Sequence, residues 1–524
     1  MSDAEPLPPH LPAVAAAAAR RWPEQAAVIA EGRTASFAEI HARMRAAASA
    51  FIANGVRKGD VIAIWAPNQV EWIIAALGAQ AAGAVLTPLN TRLKGREAGD
   101  ILRRSRARLL FTVLDFLGTD YPALIAGEDL PELARIIAFD DDGPDGFAAF
   151  LAAGSGAADP RVDAALAQLG SDDPCDILFT SGTTGSPKGV VSTHGQTVRL
   201  FDVWGERAGV QPGDRLLIIN PFFHTFGYKA GWLACFIRGA TALPLRTFEP
   251  AQVADLIRTQ GVSILPGPPT IFQMLLAEQQ EACAAAGTLR VAVTGAATVP
   301  PILVQRMQQE LGFKTVITGY GMTECGVISM CRAGDSIEQI ATTCGVAAPG
   351  LEICCVDEQG KRLAPGETGE LLVRGFGVMR GYLDDPEATK EAIDADGWLH
   401  TGDVGTMDAD GYIRITDRKK DMYITGGFNC YPAEIEKLLS DHPKVAMAAV
   451  VGVPDDRLGE VGKAFIVPRR GQTVSAEEII AWSRQNMANY KVPRSVELCE
   501  ALPRNAAGKV VRHALKLPGG TPSA

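Results

Sequence analysis

Short apolar runs alternate with helical stretches through the first part of the chain. Val61–Ala66, Ala84–Leu86 and Arg108–Val113 read as strands, and the same rhythm resumes at Cys175–Phe179, Arg215–Asn220, Val262–Leu265, Leu289–Thr294 and Lys314–Ile317. That alternation is the pattern of βαβ units around a mostly parallel sheet. The later strands each run into a loop rich in Gly, Thr or Pro. In open α/β sheets ligands bind beyond the carboxyl ends of the strands, so these loops are where chemistry is expected. One helix start is legible in detail. Ser36 with Glu39 makes a capping box ahead of Phe37–Asn54, and Gly55 stands where a left-handed cap would end the helix.

From about Gly345 to Thr416 the texture changes to short strands separated by Gly and Asp turns, such as Pro365-Gly366-Glu367-Thr368-Gly369 and Asp408-Ala409-Asp410-Gly411. After the charged run Asp417-Arg418-Lys419-Lys420-Asp421 the pattern is βα again, with helices at Tyr431–Leu439 and Ala476–Met487 and strands near Val445–Val453 and Lys463–Val467. The fold class expected is therefore α/β. A large N-terminal domain of βαβ subdomains spans 1–417, its last part (about 345–416) a small β-rich subdomain, and a small α+β C-terminal domain spans 418–524.

Two apolar stretches could be mistaken for membrane or targeting segments. Leu11–Ala19 is short, Ala-rich and followed by Arg20 and Arg21, the reverse of a signal peptide's order, and reads as a helix. Trp72–Thr91 carries no charge, but Gly78, Gln80, Gly83, Pro88 and Asn90 break it into helix, strand and loop, so no transmembrane segment is expected. Composition agrees: 47% hydrophobic and 21% charged residues suit a folded globular chain, and 524 residues suit two or three domains. A net charge of −10 with scattered basic residues disfavours nucleic acid as a partner. The ten cysteines form no C-x-x-C pair, which argues against a metal or disulfide framework and for reduced thiols in the cytoplasm.

Three loops carry candidate chemistry. In Asp176-Ile-Leu-Phe-Thr180-Ser181-Gly182-Thr183-Thr184-Gly185-Ser186-Pro187-Lys188-Gly189, glycines would let backbone N–H groups approach phosphate oxygens, hydroxyls would add donors or a magnesium contact, and the lysine would offset charge. It is not a Walker loop, because Ser186 and Pro187 separate Gly185 from Lys188. By composition alone such a loop is more often merely a surface loop. In Thr318-Gly319-Tyr320-Gly321-Met322-Thr323-Glu324, Tyr320 could stack on a base and Glu324 could hold a hard cation, or the segment is a tight turn. In Trp398-Leu399-His400-Thr401-Gly402-Asp403, the carboxylate could grip the two hydroxyls of a ribose, or simply close a turn.

In this order, with Asp417–Glu436 and Pro503-Arg504-Asn505-Ala506-Ala507-Gly508-Lys509 behind them, the motifs resemble those of the adenylate-forming superfamily of acyl-CoA synthetases, over nearly the whole chain. The resemblance implies an ATP-dependent, AMP-forming acid–CoA ligase: carboxylate and ATP give acyl-adenylate and pyrophosphate, and CoA then gives acyl-CoA and AMP. It implies ATP, Mg2+ and CoA, with no nucleic-acid partner, and leaves the quaternary state open between monomer and homodimer. It assigns the triphosphate to Thr180, Ser181, Gly182, Thr183, Thr184 and Lys188, with Thr184 and Glu324 at the metal. The nucleotide is further assigned to Gly295, Ala296 and Ala297, to the segment Thr318, Gly319, Tyr320, Gly321, Met322 and Thr323 with Tyr320 against adenine, and to Asp403 and Arg418 at the ribose. Lys509 corresponds to the lysine that reaches the α-phosphate and the carboxylate during adenylation. Lys420 occupies the hinge about which relatives rotate a mobile C-terminal domain, and Gly426, Gly427 and Phe428 match the CoA tunnel.

The acyl pocket is expected to begin at Pro221-Phe222-Phe223-His224-Thr225-Phe226-Gly227-Tyr228-Lys229, with His224 beside the carboxylate and Phe226, Gly227 and Lys229 lining it. No acidic residue occurs from Pro221 to Gly239, so nothing there would pair with an α-ammonium, and an acid without an amino group is expected. The stretches Asn220–Gly231, Leu265–Ile271, Val291–Pro300, Ala341–Gly345 and Asp417–Glu434 look closest to bacterial ligases that activate the indanedione propanoate left by steroid-ring degradation. A medium- or long-chain fatty acid is the other substrate considered. On the steroid reading Lys229 is a candidate to meet a ring ketone, with an internal ion pair as its alternative. A free-standing enzyme that loads a carrier protein would share every nucleotide motif.

Overall fold

The computed structural model describes residues 6–180, 187–295, 299–418, 421–425, 428–430, 432–455, 458–487, 489–504 and 510–515. The chain divides into two compact units, 1–352 with 373–399 and 353–372 with 400–524.

Two sheets build the first unit. One runs, from edge to edge, Val346–Ala347, Ser329–Met330, Thr315–Tyr320, Val291–Gly295, Ile264–Pro266, Arg215–Ile218, Thr241–Pro244, Ala26–Ala30 and Arg33–Ser36. From Thr315–Tyr320 to Ala26–Ala30 the neighbours are parallel, as the βαβ rhythm predicts; the edge strands are antiparallel. The other sheet runs Gly381–Tyr382, Lys188–Thr193, Pro174–Thr180, Val85–Pro88, Val61–Trp65, Ala107–Thr112 and Arg135–Ala138. Here too the centre is parallel, but Lys188–Thr193 returns antiparallel to Pro174–Thr180, and Gly381–Tyr382 adds antiparallel beyond it.

The helices follow from local sequence. Ser36 Oγ accepts the Glu39 N–H (3.2 Å) ahead of helix Phe37–Ala53, and Gly55 has φ of +76°, as its place after the helix demands. Gly78 in helix Val70–Ala81 faces Ala47 so closely that an added Cβ would lie 2.5 Å from the Ala47 methyl, so the two helices pack with almost nothing between them. Helix Val70–Ala81 is buried from Trp72 onward, which accounts for the absence of charge there. Among the described residues no helix is long and apolar enough to cross a membrane. Strands pack on buried aliphatic and aromatic side chains, with Trp65, Trp72, Trp232 and Phe111 wholly enclosed.

The second unit carries the sheet Leu351–Val356, Gly369–Gly375, Leu399–Met407 and Ile413–Arg418. It also carries an α+β part, in which Phe428–Cys430, Tyr423–Thr425, Gly459–Pro468 and Val445–Asp455 form a sheet and Ser495–Leu498 pairs parallel with Gly459–Pro468. Helices Pro432–Ser440 and Ala476–Asn486 contribute Ile435, Leu439 and Ile479 to a core with Tyr423, Val450 and Ile466.

Candidate active site

The strands on either side of the phosphate-type segment form an antiparallel pair, in which Thr180 lies opposite Lys188 and Thr180 Oγ donates to the Lys188 carbonyl (3.4 Å). Ser181, Gly182, Thr183 and Thr184 lie outside the described residues. Arg104 braces the pair: its guanidinium donates to the Pro187 carbonyl (2.6 Å) and lies 5.5 Å from the Phe179 ring centroid. The expected phosphate segment thus follows the carboxyl end of the largely buried strand Pro174–Thr180, where ligands bind in open α/β sheets.

A second loop ends beside it in the chain's other sheet. Strands Val291–Gly295 and Thr315–Tyr320 pair in parallel with Gly295 opposite Gly319, bringing two segments expected at the nucleotide side by side. A Cβ on Gly295 would lie 2.6 Å from the Gly319 carbonyl oxygen, so the pairing itself requires glycine. Ala296 and Ala297 lie outside the described residues. Gly321 and Met322 lead from the strand into a turn closed by the Cys325 N–H on the Met322 carbonyl (3.2 Å), with Tyr320 half-buried at the strand's end and the Ile328 N–H bonded to its carbonyl (2.9 Å). Thr318 is different from expectation. Its hydroxyl is buried and donates to the Ile340 carbonyl (2.8 Å), because alternation along the strand turns it inward; it shapes the loop and offers no side chain to a nucleotide.

Glu324 lies in that turn. Its Oε1 accepts a hydrogen bond from the Tyr382 hydroxyl (2.9 Å), while the Lys188 ammonium stands 4.9 Å from the centroid of the Tyr382 ring. The expected phosphate lysine and the expected metal carboxylate thus meet on one tyrosine. Burial and the neighbouring Glu324 push the Tyr382 phenol well up, so it stays protonated and donates. Nothing in the sequence around Tyr382 marks it, since the contact is made across 58 residues on one side and far more on the other.

The acyl segment is a compact turn leading into a π-helical turn. The His224 N–H bonds to the Pro221 carbonyl (3.0 Å), and the Gly227 and Tyr228 N–H groups to the His224 carbonyl (3.0 and 2.9 Å). His224 is exposed at the N-cap of Thr225–Gly227, and its Nδ1 accepts the Phe226 N–H (3.1 Å), so the neutral ring carries its proton on Nε2. Phe226 is half-buried, and a Cβ on Gly227 would overlap the carbonyl oxygens of Asn220 and Pro221.

Lys229 does not line the pocket as expected. It is 4% exposed, and its ammonium bonds to Asp176 Oδ1 (2.9 Å), Ser192 Oγ (3.1 Å) and Thr197 Oγ (3.5 Å). The internal ion pair, not a ring ketone, accounts for the residue. Lys229 lies in the π-helical stretch Tyr228–Leu233, where Gly231 leaves helical geometry (φ −94°, ψ −106°) and the side chains are rotated relative to an α-helix. Gln80 completes the contact by donating to the Cys175 carbonyl (3.1 Å) and the Tyr228 oxygen (2.9 Å).

In the second unit the two expected ribose residues are cross-strand partners. Leu399–Met407 and Ile413–Arg418 pair with Asp403 opposite Arg418. Asp403 is buried within the strand, whose course before it is set by Gly402 at φ of +67°, by the Gly402 N–H to Glu370 Oε1 (3.3 Å), and by Thr401 Oγ, which donates to the Leu371 carbonyl (2.7 Å) and accepts the Asp403 N–H (3.1 Å). Phe428 lies in the strand Phe428–Cys430, opposite Thr425. Lys420, Gly426, Gly427 and Lys509 lie outside the described residues; Arg504 and Val510, on either side of 505–509, form an antiparallel bridge.

Residues 15–383 match the AMP-binding enzyme family and residues 434–509 the AMP-binding enzyme C-terminal domain. The chain belongs to this family. It is similar to a 3-[(3aS,4S,7aS)-7a-methyl-1,5-dioxo-octahydro-1H-inden-4-yl]propanoyl:CoA ligase of Rhodococcus jostii (strain RHA1), 47% identical over 97% of this chain and 98% of that protein. A ligase of the same name from Mycobacterium tuberculosis (strain ATCC 25618 / H37Rv) is 48% identical over 95% of this chain and 96% of that protein. Among solved structures, the anthranilate CoA ligase AuaEII in complex with anthranoyl-AMP aligns with a TM-score of 0.86 at 28% identity, covering 98% of this chain and 97% of that one. The adenylate-forming architecture expected from the motifs is therefore the one observed.

Proposed function

We propose that this AMP-forming acid–CoA ligase takes as its preferred acid a bicyclic propanoate of the steroid-derived indanedione type. The observation that carries this reading is the identity of 47% and 48%, over nearly the full length, with two ligases named for that acid. The acyl segment supports it, because no acid from Pro221 to Gly239 could pair with an α-ammonium.

The chemistry sets the demands on the site. A carboxylate oxygen attacks the α-phosphorus of ATP, and the bond to the bridging oxygen breaks with pyrophosphate as leaving group. The CoA sulfur then attacks the acyl carbon, its proton is lost to the surroundings, and AMP leaves. Both reactants of the first step are anions, so cations must reduce their repulsion and hold them in line. In this reading the phosphate-type segment with Lys188 receives the β- and γ-phosphates, Tyr320 lies against adenine, Asp403 and Arg418 hold the ribose, and His224 lies beside the carboxylate. Lys509 stabilises the charge growing on the α-phosphate, and the 418–524 domain turns about Lys420 between the steps. Glu324 suits a magnesium ion that arrives on the nucleotide and keeps its waters. Among the described residues no group of three or more His, Cys, Asp or Glu could cage a metal alone, and Mg2+ in phosphate sites needs only one or two carboxylates. Such an ion would screen the triphosphate charge. Cytoplasmic residence belongs to the same reading, which suits ten free thiols.

The test is a pyrophosphate-release screen over the bicyclic propanoate, decanoate, dodecanoate and aryl acids, each with and without CoA. The bicyclic acid is expected to give the highest kcat/KM. A much higher value for decanoate or dodecanoate would overturn the substrate reading, and release that is unaffected by CoA but completed by a carrier protein would favour a free-standing loader.

A further inference from the structure

Tyr382 is held where it stands by the backbone on both sides. Gly381–Tyr382 pairs with the strand Lys188–Thr193, Val190 opposite Tyr382 and Val191 opposite Gly381. The Leu383 N–H bonds to the Gly189 carbonyl (2.7 Å) and the Arg380 N–H to the Val191 carbonyl (3.0 Å). The Met379 N–H bonds to the Glu324 carbonyl (2.7 Å). Residues 379–383 therefore clip that strand to the turn that bears Glu324. Lys188 and Val190 point to the same face of their strand, so the residue opposite Val190 is the diagonal neighbour of Lys188, within reach of a long side chain. That residue is the tyrosine, with the lysine ammonium by its ring and the carboxylate at its hydroxyl.

Lys188 and Glu324 carry opposite charge, and no ion pair joins them. If they closed on each other, both would be withdrawn from an incoming nucleotide. A phenol between them satisfies both without neutralising either. The cation rests by the π-system, the carboxylate takes one hydrogen bond, and a carboxylate that accepts one still has lone pairs for a metal. Donation toward Glu324 also enriches the ring in electrons, which strengthens its attraction for the ammonium.

We propose that Tyr382 is a positioning residue for the adenylation half-reaction, presenting Glu324 to the nucleotide's metal through its hydroxyl and Lys188 to the phosphates through its ring. The inference rests on the proposed assignment of those two residues to the metal and the triphosphate. It separates two functions on one side chain. Tyr382→Phe keeps the ring and loses the bond to Glu324; Tyr382→Leu loses both.

The experiment is calorimetric titration of the full chain with ATP, without acid, at saturating and at limiting Mg2+. Tyr382→Phe is expected to bind ATP with wild-type affinity at saturating Mg2+ and to need roughly 3- to 10-fold more Mg2+ to reach it, the scale of one hydrogen bond to a charged group partly replaced by water. Tyr382→Leu is expected to lose a further few-fold in ATP affinity even at saturating Mg2+, and Lys188→Met is expected to cost less in the Leu background than in the wild type. Both tyrosine variants should convert supplied acyl-adenylate to acyl-CoA at the wild-type rate, a readout that general misfolding would depress. A Tyr382→Phe variant whose Mg2+ dependence stays within twofold of wild type, or equal loss of both half-reactions, would overturn the role of Tyr382. Glu324→Gln separates the two failures: if it too leaves the Mg2+ dependence unchanged, the assignment of Glu324 falls, and this inference with it.

Discussion

Replacing Lys229 with Met removes the cation that faces Asp176 and leaves the volume nearly unchanged. Both side chains are enclosed, at 5% and 0% exposure, with 2.9 Å between charges. At an effective dielectric of 20 the attraction across that distance is about 6 kcal/mol, an upper figure for what the carboxylate loses. Deleting one partner of a buried pair and leaving the other charge uncompensated costs about 3–5 kcal/mol, so the expected destabilisation is near 4 kcal/mol. Spread over a unit of about 380 residues, that corresponds to a fall in melting temperature of roughly 5 °C. Urea denaturation reads the effect, and Asp176→Asn in the same chain should restore most of the loss. A penalty under about 1 kcal/mol, or no rescue by the second substitution, would show that the pair does not carry charge as described.

Two further outcomes follow. His194 is fully buried, its Nδ1 accepts the Leu11 N–H (3.4 Å), and burial, aided by the nearby His10, holds its pKa down to about 3. Because the unfolded chain protonates this residue near pH 6.5 and the folded chain does not, stability should fall as pH drops from about 6.5 toward 3, by about 1.4 kcal/mol per pH unit. His194→Gln should flatten that limb in denaturant midpoints measured against pH; an unchanged slope would refute the assignment. Lys509→Ala should abolish acid-dependent pyrophosphate release while leaving CoA thioesterification of supplied acyl-adenylate intact, and equal loss of both steps would sink the role given to Lys509.

The parts of the molecule legible in its sequence were those set by local chemistry. A strand that must be buried is apolar, so Val61–Trp65 and Val291–Gly295 stood out, and a helix start needs a side-chain acceptor, so Ser36 did as well. The close backbone approaches at Gly295 and Gly227 appear only in the structure. What could not be read was pairing between distant segments and the direction of a side chain. The antiparallel return of Lys188–Thr193, and the seating of Gly381–Tyr382 against it, depend on contacts that no local pattern encodes. For Lys229 the sequence left a ring ketone and an internal ion pair open, because burying a charge is costly unless a partner is supplied and no local pattern names that partner. The partner, Asp176, sits 53 residues earlier, between the apolar strand residues Cys175 and Ile177. The resemblance placed Thr318 in the nucleotide segment without saying where its side chain goes, and the structure turns its hydroxyl to the Ile340 carbonyl.

These two bridges give the first unit a common logic. Asp176 lies in the strand that leads toward the proposed phosphate segment, and Lys229 lies in the helical turn that follows His224, so the ion pair ties the proposed acyl segment to that strand. Tyr382 ties the partner strand Lys188–Thr193 to the turn bearing Glu324. Each of the two paired strands is thus fastened to a different segment proposed to bind a reactant, one by a buried charge pair and the other by a phenol. A reaction between two anions requires its reactants to be aligned before they meet, and alignment depends on how rigidly their separate binding segments are joined. Burial makes the first joint stiff, because separating Lys229 from Asp176 would strand both charges. The second is lighter, since a hydrogen bond and a ring contact can yield while a metal and a triphosphate enter. On the proposed assignments, the acid's position is then fixed by the fold, and the groups proposed to face the triphosphate are held ready but adjustable.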